Sequence, residues 1–286
     1  MDFMIGKGEL LTSPVKVKPR YGTKVSPYSF KEAVFRLSPQ FINCSDTIDE
    51  LPSEACPGNY AVELVTINPD YLAKSYYPAN LFRALEVEPI GSKNSVVIPE
   101  KRGSHSAPNQ GVALQIYLAS PRDVLRDIPN KIEGLIEESK EADDLRKIES
   151  ITVPSPVLGS ILNLENEAQD YFEIGIHLLP SSKNRMIQDA FFSYVKLCSV
   201  VCFSDLSFNA GNLWFIPVYG TRAQIEQLAK FTFIRVIRKM PTLRSVPIGF
   251  RSEKIQIKAK LTQEPPVASD VKVAILDGGL PEQNPI

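Results

Sequence analysis

Tyr171-Phe172-Glu173-Ile174-Gly175-Ile176-His177-Leu178-Leu179 opens the block from which the fold is read. This run, dominated by aromatic and aliphatic residues, reads as a strand. A helix follows at 186–197, where Met186, Ile187, Ala190, Phe191, Tyr194 and Leu197 recur at helical spacing. Residues 200–208 and 213–219 then form a hairpin about Ala210-Gly211-Asn212. A second helix covers 223–231, with Ile225, Leu228 and Ala229 inward, and 233–237 is a closing strand. The order is β-α-β-β-α-β.

Upstream the same order recurs. Residues 60–67 alternate apolar positions with Glu63 and Thr66 as a strand, and 78–85 carry helix formers behind a Pro suited to a first turn. Strands at 95–98 and 112–118 are joined by the polar loop 103–111. Pro121 opens a helix kinked at Pro129, and a charged segment, 137–146, leads to a strand at 148–153. The expected class is α+β: tandem ferredoxin-like (βαββαβ) units, 58–155 and 166–245. The repeat is one of architecture, since the halves share no evident residue identity.

Residues 1–57, dense in Pro, Lys and Ser, read as an extended leader whose helical candidate runs from about Ser29 to Leu37 and is ended by Pro39. Residues 246–269, with Pro265-Pro266, read as a connector. With 32 basic and 33 acidic residues, no overall field recommends nucleic acid or an anionic membrane as a partner. No basic-then-apolar leader opens the chain, and no apolar run approaches the roughly 18 residues of a membrane span, so the expected compartment is the cytoplasm. Cys44, Cys56, Cys198 and Cys202 have no paired metal-ligand spacing and read as buried reduced thiols; no metal or other cofactor is expected. A helix holding Cys198 and Cys202 on one face would have to persist past Ser199, and Val200 and Val201 indicate a strand there instead.

Past the connector comes Val271-Lys272-Val273-Ala274-Ile275-Leu276-Asp277-Gly278-Gly279-Leu280-Pro281. It is an apolar strand suited to burial on both faces, broken by a carboxylate and two glycines. An Asp there stands at the carboxyl end of a strand, where open α/β sheets place ligands and catalytic groups. D-G-G also makes a tight turn, and a strand-end Asp also occurs in Walker B elements, although no G-x-x-x-x-G-K-[ST] precedes it. The stretch resembles the aspartate motif of the subtilisin-like serine proteases (peptidase S8 family), with Gly278 replacing their usual hydroxyl residue. The resemblance implies that residues 270–286 begin a subtilisin-like α/β domain and that Asp277 is the catalytic acid that orients the histidine. It also implies that the 166–245 unit is propeptide-like, because such proteases commonly carry a unit of this order just ahead of the catalytic domain.

The other triad motifs of the family are not found in these residues. His105 is followed by Ser106 and His177 by Leu178, where the family has His-Gly; Gly220-Thr221 is followed by Arg222, where it has Ser. His105 reads as a solvated loop residue and His177 as a residue of the polar face of the second sheet. Arg235, Arg238, Lys239 and Arg244, with Tyr219, Phe231 and Phe233, suggest RNA-binding sheets, but the RNP motif is missing and a solvated basic edge is the plainer reading. The acidic run 137–144 reads as a solvated helix end, and Trp214 as core or sheet packing.

The function expected from the resemblance is the N-terminal, folding, inhibitory or recruiting region of a cytoplasmic serine endopeptidase, with the chain alone inactive. The implied partners are a downstream protease domain of the same protein and a peptide or protein substrate. An AAA-type ATPase is a further implied partner, because intracellular family members with long leaders are often encoded beside one. No nucleic acid or membrane partner is expected. The alternative is a non-enzymatic interaction module of tandem ferredoxin-like domains, in which Asp277 is a turn residue.

Overall fold

The computed structural model describes residues 25–103, 109–155, 168–179 and 183–240. The described residues are mixed α+β and form two antiparallel sheets. The first holds β1 (Tyr60–Ile67), β2 (Glu88–Val97), β3 (Gly111–Pro121) and β4 (Ile148–Thr152) in the order β2-β3-β1-β4. Its helices are α1 (Phe30–Asp49), α2 (Ala79–Ala84), α3 (Arg122–Glu133) and α4 (Lys140–Leu145). The second sheet joins β5 (Gln169–His177), β6 (Val201–Cys202), β8 (Leu213–Thr221) and β9 (Ile234–Lys239) in the order β6-β8-β5-β9, with β7 (Phe208–Ala210) also on β8. Helices α5 (Asn184–Leu197) and α6 (Arg222–Leu228) connect its strands. Among the described residues, no helix is long and apolar enough to cross a membrane.

Alternation along β1 shares its side chains between two cores. Ala61, Val65 and Ile67 join Leu37, Phe41 and Ile48 of α1 and Leu125, Ile128 and Ile132 of α3. Val62 and Leu64, which point the other way, pack with Ile90, Tyr117 and the second sheet. The strand is therefore buried nearly throughout, and both sheets lie in one unit that ends at Pro241. On β5, Phe172, Ile174 and Ile176 meet Ile187, Phe191, Ile225 and Leu228 of the helices.

Several expectations are corrected. The leader is not extended throughout: α1 passes through Pro39 and continues to Asp49. It starts at a capping box in which the Ser29 N–H donates to Glu32 and the Glu32 N–H to Ser29 Oγ. An interior Pro costs about 3 kcal/mol, but Phe41 and Ile48 beyond it are each 1% exposed, and each such burial contributes about 1.5–3 kcal/mol. Packing therefore outweighs the lost bond, and the Gln40 side-chain amide donates to Arg36 O beside the break at 3.1 Å. The second strand begins at Glu88 rather than 95, passing Pro89 and Gly91 by a register shift. The charged segment contains α4, whose Asp144 is buried, accepting from the Asn80 and Leu81 N–H groups and pairing with Lys147. The first arm of the expected hairpin divides into β6, a 3-10 turn at Ser204–Leu206 and β7. Its turn lies at Gly211, φ 60°. Helix α5 stops at Leu197, and Ser199 takes a left-handed φ of 55° before β6, which separates Cys198 from Cys202 as the sequence indicates.

Candidate functional site

Asp277 and the whole 270–286 segment lie outside the described residues, as do His105, Arg244, the 246–269 connector and residues 1–24. The site that can be built is the face of the second sheet turned away from α5 and α6. Alternation along β5 puts Tyr171, Glu173, Gly175 and His177 on this face, opposite the core residues between them. Tyr171 is half exposed, with its ring 4.7 Å from Tyr219 and 5.8 Å from Phe203. Toward the hairpin, Phe208 stacks on Phe215 at 5.3 Å and is also about half exposed. The flank is ionic: Glu173 pairs with Arg238, and Asp170 with Lys239. Asp170 is held below the usual carboxylate range, burial opposing and Lys239 and the Tyr171 N–H lowering it. Such a face, aromatic at its centre and charged along one side, suits the burial of a partner's apolar surface.

At its other end the face is already covered. His177 is not on a polar, solvated face: it is 1% exposed, with its ring 4.5 Å from Tyr117 of β3 and close against Gly91 of β2. The first sheet packs over it, which reading one strand in isolation does not reveal. Neither ring nitrogen makes a hydrogen bond of ordinary geometry. Burial, and then the Arg235 charge, lower its pKa to about 3, with the Ile90 backbone offsetting this only in part. The described groups around it are Gly91, Tyr117 and Arg235, and so low a value makes the ring a weak proton acceptor.

Of the basic cluster, Arg238 and Lys239 are exposed on β9, the edge strand of the second sheet, and Arg235 alone is drawn in between the sheets. Arg235 donates to Ser92 O at 3.0 Å and lies over the Tyr117 ring, joining the two sheets. Arg238 and Lys239 are engaged by carboxylates. Phe231 and Phe233 are buried, which withdraws them from any stacking role. Trp214 is buried against Phe191 and Phe192, as core packing. Cys44, Cys56 and Cys198 are buried and Cys202 is half-buried. Among the described residues, no cluster of three or more His, Cys, Asp or Glu could hold a metal ion.

A polar network about Glu149 was not foreseen. Its carboxylate accepts from Tyr28 Oη (2.9 Å), Asn68 Nδ2 (2.7 Å) and the Glu100 N–H (2.8 Å). Arg36 stacks over the Tyr28 ring and donates to Glu149 O, and Asp70 accepts from Arg102 and the Gly103 N–H. Burial, followed by the Glu149 charge, drives the Tyr28 hydroxyl pKa up. The network ties residues 25–28 and the 99–103 stem to β4. The sequence carries one local trace of it, the Ser29–Glu32 capping box that starts the helix bearing Arg36.

No protein-family model matches the chain, and no curated protein matches it.

Proposed function

We propose that this chain is the N-terminal, propeptide-like region of a subtilisin-like serine endopeptidase, built of two ferredoxin-like units and carrying the acid of an Asp-His-Ser triad at Asp277. The observation that carries the reading is the helix-free aromatic face of the second sheet, at Tyr171, Tyr219, Phe208 and Phe215. The strand orders support it: each runs fourth-first-third-second within its block, as in a split βαβ unit. The Val271 to Pro281 motif follows the second block in the sequence. In this reading the aromatic face seats the protease domain while that domain folds. Asp277 then hydrogen-bonds the histidine that deprotonates the nucleophilic serine and stabilises the imidazolium formed. The substrate is a peptide or protein, the compartment cytoplasmic, and an AAA-type ATPase is a partner by family association alone.

The test mixes this chain with a separately produced continuation of the protease and follows peptide hydrolysis. The expected result is suppression of activity, or a requirement for the chain while activity develops. The double variant Tyr171→Ser/Phe208→Ser should weaken that effect by about 30-fold or more, the loss of one interface hot spot of about 2 kcal/mol. If the chain neither binds the continuation nor alters its activity, the non-enzymatic interaction module replaces this reading.

A further inference from the structure

On β1, between Ala61 and Val65, stands a carboxyl group with no exit to water. Glu63 is 0% exposed, and both of its oxygens lack a hydrogen-bond partner. Its neighbours on the same face belong to the core under α1 and α3, and the residue across the ladder on β3 is Leu118. From α1 the facing titratable group is the Cys44 thiol, pushed up to about 12 by burial and then by the Glu63 charge. Ser45, the next residue of α1, is also buried with its hydroxyl unpartnered. From α3 the groups in this core are Leu125, Ile128 and Ile132, and from β4 they are Ile148 and Ile151. Of the cations on these elements, Lys31 is exposed, Arg122 and Arg126 pair with Asp49, Lys131 with Glu86, and Arg36 belongs with Glu149 to the Tyr28 network. No cation therefore compensates a carboxylate at Glu63 among the described residues that pack on it. An unpaired buried charge is among the costliest features a core can hold.

What α1 covers gives this placement a consequence. Arg36 Nη2 donates to Glu149 O at 2.8 Å, and Gln40 Oε1 accepts from the Ile151 N–H at 2.8 Å. Two side chains of α1 thus occupy backbone groups on the outer edge of β4, the edge of the sheet. An uncovered edge of this kind is a template for pairing with another strand.

We propose that Glu63 is a proton-controlled latch for α1: the protonated carboxyl lets the helix seat on β1, and loss of the proton releases the helix and uncovers the edge of β4. The latch belongs to the first sheet and stands independently of the protease reading. Burial raises the Glu63 pKa from 4.5 to about 8. Because the folded value is the higher one, the stabilisation is complete below about pH 4.5 and is lost as pH rises through about 8.

The test is hydrogen exchange on the whole chain between pH 6.5 and 8, with protection corrected for the intrinsic rate at each pH. Protection of the α1 amides and of the Ile151 N–H should fall about 15-fold across this range, while the β5–β8 ladder keeps its protection. In Glu63→Gln the α1 protection should be flat within about twofold. Equal slopes in the two proteins, or a parallel fall in β5 and α1, would overturn the latch. Should Glu63→Gln not fold, the wild-type chain decides alone: flat α1 protection from pH 6.5 to 8 sinks the proposal.

Discussion

Lowering the pH from 7 to 5 should weaken the packing of the two sheets through His177. The imidazole is enclosed by Gly91, Tyr117 and Arg235, makes no hydrogen bond of ordinary geometry, and titrates at about 3 instead of 6.5. A folded value below the unfolded one means that the unfolded chain takes up the proton first. The contribution is thus fully present above about pH 6.5 and is lost as pH falls through about 3. The linked penalty is near zero at pH 7, reaches about 2 kcal/mol at pH 5, and approaches about 5 kcal/mol below pH 3. The assay is urea unfolding of the wild-type chain and of His177→Gln at pH 7 and pH 5. Glutamine keeps a polar side chain of similar reach and does not titrate, so carboxylates common to both proteins cancel in the comparison. Relative to the variant, the wild type should lose about 2 kcal/mol, or roughly 1 M in midpoint for a slope of about 2 kcal/mol per M. Equal losses in the two proteins would show that His177 is hydrated, or free to swing out, and would refute the buried-imidazole account.

Two further substitutions test the packing. Pro39→Ala restores an N–H to the middle of α1 at an exposed position, and should raise stability by about 1–3 kcal/mol in urea unfolding; an unchanged or lower midpoint would mean that the proline shapes the helix productively. Gly91→Ala would place a methyl group 2.8 Å from His177 Cε1, between the sheets, and should cost about 1–3 kcal/mol. Adding His177→Ala should recover part of that loss, and strict additivity in the cycle would mean that the two positions do not touch.

The parts of the fold that a local pattern specifies were legible in the sequence. Strand β1 falls on the predicted residues, α5 and α6 begin within two residues of them, and the hairpin turn lies at Gly211. Misread elements depend on residues distant in the chain. Pro39 ends a helix by local rules, and it is Phe41, Cys44 and Ile48, packed in the first core, that carry α1 past it. His177 and Arg235 look like the polar edge of a solitary sheet, and it is β2 and β3 of the other sheet that enclose them. Glu149 meets Tyr28 across 121 positions and Asn68 across 81, separations at which a sequence carries no periodic signal. Of the candidate site, the aromatic residues on β5 and β8 could be read as strand residues; which of them face solvent depends on which side the helices cover.

Glu63 and His177 occupy comparable positions, on first strands that lie inside their sheets, and they titrate in opposite senses. As pH rises, Glu63 loses its contribution between about 4.5 and 8, while His177 gains its own between about 3 and 6.5. In the shared window, pH 4.5–6.5, the two slopes have equal size and opposite sign, each about 1.4 kcal/mol per pH unit. The wild-type stability should therefore be nearly level there as far as these two groups set it, falling below the window through His177 and above it through Glu63. A flat wild-type curve near pH 5.5 is thus no sign that the two groups are inert. Removing one exposes the other: His177→Gln should lose stability as pH rises across the window, and Glu63→Gln should gain it. If both variants stay level, neither group is held in the protonation state that its burial requires.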